Sequence, residues 1–174
     1  MTDLKDIKAF AFDIDGVMTN GGILADLEGQ LYRTYDAKDG FAVRMAAMNG
    51  FPVAVITGAR SQSVRARFNG NGIPPEDIYL GSRDKITDFD DFCRRHSLEY
   101  SQVMYFGDDI PDIPVIMAAG IGVVPSDAVQ EAKDAADIVS DRPGGKCCVR
   151  KHIEQAMKAQ GRWNFDVQVY KKRF

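Results

Sequence analysis

The chain has 174 residues, enough for one domain with a single sizeable core and short for two. Hydrophobic residues make up 45% and charged residues 27%, the balance of a soluble globular protein, and no apolar run approaches a membrane span. A net charge of -3 argues against nucleic acid as a partner, which would call for a clustered basic surface.

The first ten residues, MTDLKDIKAF, carry acidic side chains where a secretory signal needs a basic patch before a longer apolar stretch, so a cytoplasmic protein is expected. Cys93 and the adjacent pair Cys147 and Cys148 form neither a disulfide framework nor a spaced zinc motif. They read as small, buried apolar side chains.

In chain order, the first candidate strand is Ala9 to Asp13, and it runs straight into Asp15 and Gly16. Carboxylates beside a strand cost free energy unless a cation or a proton compensates them. Residues 20–39 then break the pattern, with two short strands, Ile23 to Asp26 and Gln30 to Tyr35, around a turn at Leu27, Glu28 and Gly29. This hairpin is too short to be a lid domain. A helix near Phe41 to Asn49 follows, then a strand at Pro52 to Ile56 ending in Thr57 and Gly58, and a helix at Ser61 to Asn69. Next come a strand at Ile78 to Leu80, a loop from Gly81 to Asp84, a helix at Lys85 to His96, and a strand at Val103 to Phe106 that leads to Asp108 and Asp109. Helices at Asp112 to Ala119, Val129 to Asp134 and Cys148 to Gln160 alternate with strands at Ile121 to Val124 and Ile138 to Val139.

This alternation predicts an α/β fold, a Rossmann-like parallel sheet with helices on both faces and the hairpin inserted after the first strand. With no repeat, low-complexity tract or linker, residues 1–174 are expected to form one domain, ending in a tail over residues 161–174. Ligands in such sheets bind beyond the carboxyl ends of the strands. Asp13, Asp15, Thr57, Gly58, Lys85, Asp108 and Asp109 should therefore converge at one edge. Several carboxylates there call for a divalent cation, and hard oxygen ligands in small number favour magnesium.

The same set can move a phosphoryl group. An ionised aspartate can attack phosphorus and split a hard hydrolysis into two displacements, and Asp15, two residues on from Asp13, can serve as general acid and then general base. Magnesium and Lys85 would neutralise the phosphoryl oxygens, while the Thr57 hydroxyl and backbone N–H groups donate hydrogen bonds. Asp109 and Asp112 could orient a metal-bound water, or Asp112 could cap the next helix.

DIDGVMT, ITG, the lysine of GSRDK, and GDDIPD resemble the four motifs of the haloacid dehalogenase superfamily of phosphatases, in that family's order across residues 13–112. The resemblance implies Asp13 as nucleophile and metal ligand, and Asp15 as acid/base and a ligand through its backbone carbonyl. It further implies Thr57 and Lys85 as phosphate binders and Asp108 as the third protein ligand to Mg2+. A receiver-type phosphoacceptor domain uses similar groups in another order, since its phosphorylated aspartate follows the third strand. An idle relative that keeps the fold for assembly would not need all of these residues.

With no cap domain, the hairpin, DAKDGFAVR, ITGARSQSV and RPGGKCCVR, the chain is similar up to about Gln160 to the 3-deoxy-D-manno-octulosonate 8-phosphate phosphatase family. That resemblance implies hydrolysis of a phosphorylated sugar acid in lipopolysaccharide precursor synthesis. It also implies a homo-oligomer, a tetramer in which a neighbour's hairpin covers each open site. Ile23, Leu24, Leu27 and Leu31 then form an interface, or else pack on their own domain. The sugar acid would be held by Asp36, Ala37, Lys38, Asp39, Gly40, Arg44, Arg60 and Arg67, beside Asp15, Gly58 and Lys85; guanidinium groups suit its oxyanions. Two positions depart from the family's pattern: Ala59 stands where an arginine usually follows ITG, with Arg60 one place later, and Cys147 replaces the last glycine of GGxGxxR. Relatives acting on nine-carbon keto sugar acid 9-phosphates share all four motifs, but Ala59 followed by Arg60 favours the eight-carbon substrate. The tail, with Trp163, Phe165, Tyr170 and Phe174, is expected either to order over a neighbouring active site or to stay disordered.

Overall fold

The structure, a computed structural model, describes residues 2–174. Its main sheet has six parallel strands: β1 (Ala9–Phe12), β4 (Val53–Thr57), β5 (Ile78–Leu80), β6 (Val103–Phe106), β7 (Ile121–Val124) and β8 (Ile138–Val139). They lie in the order β5-β4-β1-β6-β7-β8, with β1 in the centre. Phe12 is in register with Val55 on one side and Phe106 on the other, so the residues just beyond these strands meet at one edge.

The β1 sequence AFAF explains how the two faces are filled. Phe10 and Phe12 point into one layer with Phe51, Phe68 and Ile153, under the helices α1 (Ala37–Met48), α2 (Gln62–Asn69) and α6 (Cys148–Ala159). Ala9 and Ala11 leave room on the opposite face for Phe89, Phe92 and Tyr105, beneath α3 (Lys85–Arg95), α4 (Ile113–Ala118) and α5 (Gln130–Ala135). A strand buried on both faces cannot show polar alternation, and each full aromatic burial contributes about 1.5–3 kcal/mol.

The hairpin strands β2 (Leu24–Ala25) and β3 (Leu31–Tyr32) are shorter than the sequence suggests, two residues each. Ile23, Leu24, Leu27 and Leu31 are all exposed, so these apolar side chains are not buried on their own domain. Helix α1 starts at Ala37 rather than Phe41, with the Asp36 carboxylate accepting from the Lys38 N–H at 2.7 Å as an N-cap. Gly40 lies within the first turn of α1, where a Cβ would come within 2.9 Å of the flexible end of Arg67.

The tail packs on its own chain. Asp166 caps a short helix, α7 (Val167–Arg173), which folds back on α1 of the same chain. Phe165 and Tyr170 pack against Phe41, and Tyr170 accepts a hydrogen bond from Arg44 at 2.8 Å. The Arg173 guanidinium donates to the Ala47 carbonyl at 2.7 Å, and Phe174 closes over Gly72. The aromatic spacing that suggested a strap thus finds its partners locally.

Cys93 and Cys148 are buried, as expected of small apolar side chains, but Cys147 is only partly covered and sits at φ +66° immediately before α6. A side chain in the left-handed region costs about 1–2 kcal/mol, which accounts for glycine in the family pattern. Asp39 helps hold the turn, since its carboxylate accepts from the N–H groups of Cys147 at 3.1 Å and Arg150 at 2.8 Å. No described helix is long and apolar enough to cross a membrane.

Candidate active site

Asp13 continues β1, its N–H donating to the Phe106 carbonyl at 3.0 Å, which fixes its side chain at the edge of the sheet. One carboxylate oxygen accepts from the Ile14 N–H at 2.6 Å and the other lies 2.9 Å from Lys85 Nζ. Lys85, the first residue of α3, reaches across to Asp112 at 2.6 Å. Asp112 is fully buried and accepts also from the Tyr105 hydroxyl at 2.6 Å and from the N–H groups of Asp108 and Asp109. It does not cap α4, and with both oxygens engaged its carboxylate locks Lys85 and the turn after β6 instead.

Two glycines make this packing possible. At Gly16, with φ +85°, a Cβ would lie 1.9 Å from an Asp108 oxygen; at Gly107 it would lie 2.4 Å from Asp112 Cβ. Asp108 is thereby pressed toward Asp13, and oxygens of Asp13, Asp108 and Asp112 lie within 4.8 Å of one another. Burial first, then the Asp112 charge, pushes Asp13 up to about 6 against the pull of Lys85. Burial, then the charges of Asp13, Asp112 and Asp109, pushes Asp108 up to about 8. One Asp108 oxygen is buried with no hydrogen-bond partner. A buried carboxylate pair served by one ammonium group, with an unpartnered oxygen on Asp108, suits a hard divalent cation, and Asp13 and Asp108 fit one. The Asp15 carboxylate is not in this cluster: Arg33 holds it by two bonds, Nε to one oxygen at 2.6 Å and Nη2 to the other at 2.9 Å.

Thr57, buried at the end of β4, Gly58, Ala59, Ser82 and Arg83 complete the walls of a cavity of about 280 Å³ that also contains Asp13, Asp15, Lys85, Asp108 and Asp109. The Thr57 hydroxyl accepts from the Ala59 N–H at 3.2 Å, and the Thr57 carbonyl accepts from Ser82 N–H at 2.9 Å, tying the β4 and β5 ends together. Two carboxylates, an ammonium group and a hydroxyl around one small space suit attack on a phosphomonoester.

Of the residues expected to hold the sugar acid, Asp15, Gly58 and Lys85 line this cavity, and the others do not. Asp36 and Asp39 cap α1 and brace α6, and Ala37, Lys38 and Gly40 belong to the same helix start. Arg44 is taken by Asn71 and Tyr170, with its guanidinium 5.1 Å from the centre of the Phe174 ring. Arg67 lies over Tyr35, and Arg60 runs along Gly81 into a groove shared with Gly29 to Tyr32. Composition shows that guanidinium groups are present, but not which internal partners claim them.

Two residues escaped the sequence, Arg33 and Tyr105, which sit in no motif and bond to Asp15 and Asp112. Arg33 left a trace, as a basic residue within the apolar pattern LYRTY of the hairpin, while Arg83 belongs to the GSRDK segment of which only the lysine was given a role.

A family model of haloacid dehalogenase-like hydrolases matches residues 62–143, which include Lys85 and the GDDIPD segment. The 3-deoxy-D-manno-octulosonate 8-phosphate phosphatase of Salmonella typhi is 31% identical over 162 residues, 93% of this chain and 85% of that protein. Among solved structures, the phosphatase of that name from Yersinia pestis superposes with a TM-score of 0.88 at 29% identity, covering 92% of this chain and 85% of the other. The one from Moraxella catarrhalis, in complex with magnesium, phosphate and KDO, superposes with a TM-score of 0.86 at 31% identity over 97% and 95% of the two chains. With this match covering more than nine-tenths of its length, the chain belongs to the 3-deoxy-D-manno-octulosonate 8-phosphate phosphatase family of haloacid dehalogenase-like hydrolases.

Proposed function

We propose that this protein is a magnesium-dependent phosphatase that hydrolyses 3-deoxy-D-manno-octulosonate 8-phosphate to the free sugar acid and inorganic phosphate, in the cytoplasm, for lipopolysaccharide precursor synthesis. The observation that carries the chemistry is Lys85 bound to Asp13 on the cavity floor while Asp108 faces it with an unpartnered oxygen.

A carboxylate oxygen of Asp13 bonds to phosphorus as the bond from phosphorus to the sugar oxygen breaks, and Asp15 gives that oxygen its proton. Asp15 then takes a proton from water, whose oxygen displaces Asp13 and releases phosphate. Lys85 and the Thr57 hydroxyl hold the phosphoryl oxygens through both steps. Asp13, Asp108 and the Asp15 backbone carbonyl would hold magnesium, which supplies positive charge to the transferring group. Arg33 aims Asp15; because both Asp15 oxygens accept from the guanidinium, proton transfer requires this pair to loosen.

The whole chain is read as one catalytic unit with no cap of its own. Assembly into a tetramer would cover the open cavity with a neighbour's hairpin, and the exposed side chains of Leu24, Leu27 and Tyr32 support that reading. The free thiols of all three cysteines agree with a reducing compartment.

Phosphate release by purified protein, compared on the eight-carbon 8-phosphate and a nine-carbon keto sugar acid 9-phosphate, tests the assignment. A higher kcat/KM on the eight-carbon compound, lost on chelation of magnesium, is expected. Equal or reversed preference would overturn the substrate.

A further inference from the structure

Resting on the sugar-acid phosphatase reading above, we infer that Arg83 is the residue that selects for an anionic substrate body, by pairing with the carboxylate of the sugar acid at the mouth of the catalytic cavity. Two cationic side chains line that cavity, Lys85 and Arg83. Lys85 is committed at the floor, bonded to both Asp13 and Asp112. Arg83 is exposed and has no side-chain hydrogen bond or ion pair among the described residues, although acidic side chains surround the opening.

Its position follows from the local backbone. The loop between β5 and α3 turns at Gly81, with φ +68°, and the Ser82 N–H is anchored to the Thr57 carbonyl, so the next side chain is delivered across the end of β4. There it meets Gly58: a Cβ at that residue would lie 3.1 Å from Arg83 Nη1. The absence of a side chain at Gly58, and the small one at Ala59, leave the guanidinium free to lie over the strand end, one residue beyond Thr57. Arg60, the residue the sequence favours for this task, is drawn away along Gly81 toward the hairpin. A substrate anionic at both ends needs a second cation outside the phosphoryl site, and the planar fork of arginine matches a carboxylate.

The test compares Arg83→Ala, Arg83→Lys and the unchanged protein on two matched substrate pairs: the eight-carbon sugar acid phosphate against p-nitrophenyl phosphate, and 6-phosphogluconate against glucose 6-phosphate. For Arg83→Ala, KM on the two carboxylate-bearing substrates should rise at least about tenfold, as for a lost charge-assisted hydrogen bond, with kcat within about threefold. KM on the two neutral-bodied substrates should change less than about twofold, and Arg83→Lys should recover part of the loss. Inhibition by the free sugar acid should weaken in parallel, while inhibition by inorganic phosphate should not. Equal losses on both members of each pair would place Arg83 at the phosphate instead and overturn the inference, as would unchanged kinetics. Failure of the unchanged protein to prefer the eight-carbon compound would count against the substrate assignment alone, because the second pair reads Arg83 independently.

Discussion

Lys85 Nζ is held between two carboxylates, 2.9 Å from Asp13 and 2.6 Å from Asp112, and Asp112 is the more deeply buried of the two. Asp112 thus sets where the ammonium group stands, and Asp13 receives it. Asp112→Asn keeps the shape but weakens the hold on Lys85, so kcat is expected to fall by about 10- to 100-fold with the fold intact, as for other supporting residues of charged sites. Asp112→Ala also strips the acceptor from the Tyr105 hydroxyl and two backbone N–H groups. It should lose about 3–5 kcal/mol in urea unfolding, the cost of breaking a buried ion pair. Unaltered kcat in Asp112→Asn would show that Lys85 positions itself.

The crowding of Asp108 against Asp13 destabilises the metal-free protein and favours cation binding. Asp108→Asn removes a carboxyl that must take up a proton or carry a crowded charge on folding, so without magnesium its Tm should rise by a few degrees, each kcal/mol being worth about 2–4 °C at this chain length. The increase in Tm on adding magnesium, substantial in the unchanged protein by mass action, should nearly vanish in the variant. A full magnesium-induced shift in Asp108→Asn, read by differential scanning calorimetry, would remove Asp108 from the metal site.

Arg33 and Asp15 belong to different segments, and their two-bond pair links the hairpin to the carboxylate proposed as acid/base. Arg33→Ala should lower kcat about tenfold or more while KM moves less than about threefold, because aim rather than substrate binding is lost. A rise in KM with unchanged kcat would mean that Arg33 serves substrate instead.

His152 is buried on α6 near Phe106, and burial, reinforced by the Lys151 charge and opposed by Asp141, pushes its imidazole down to about 4. The folded value lies below the unfolded one, near 6.5, so the unfolded chain takes up the proton first as pH falls. The contribution of neutral His152 is present in full above pH 6.5 and is lost progressively toward pH 4, to a total of about 3 kcal/mol. His152→Leu should flatten the fall in stability over that window relative to the unchanged protein. Asp13 and Asp108 act in the opposite sense in the metal-free state, so the difference between the two proteins in urea melts across pH is the quantity to measure.

The parts of the fold that were legible in the sequence are those set by local pattern. AFAFDIDG is a doubly buried strand that ends in carboxylates, and the same grammar of apolar run, then polar end, located Thr57, Lys85 and Asp108. What stayed hidden depends on contacts between distant segments. Arg44 looks available for substrate until α7 places Tyr170 on it. Asp112 could be read as a helix cap because the sequence shows Pro111 and Pro114 beside it, but not Lys85 or Tyr105. The exchange of a glycine for Cys147 was legible as a departure, and its positive φ supplies the backbone reason.

The central claim is covalent: Asp13 itself bonds to phosphorus. Rapid acid quench of the enzyme during turnover, followed by peptide mass spectrometry, should find one phosphoryl group on the peptide containing Asp13, and none in Asp13→Asn, which should be folded and inactive. Phosphate carried by any other side chain, or sustained turnover by Asp13→Asn, would contradict it.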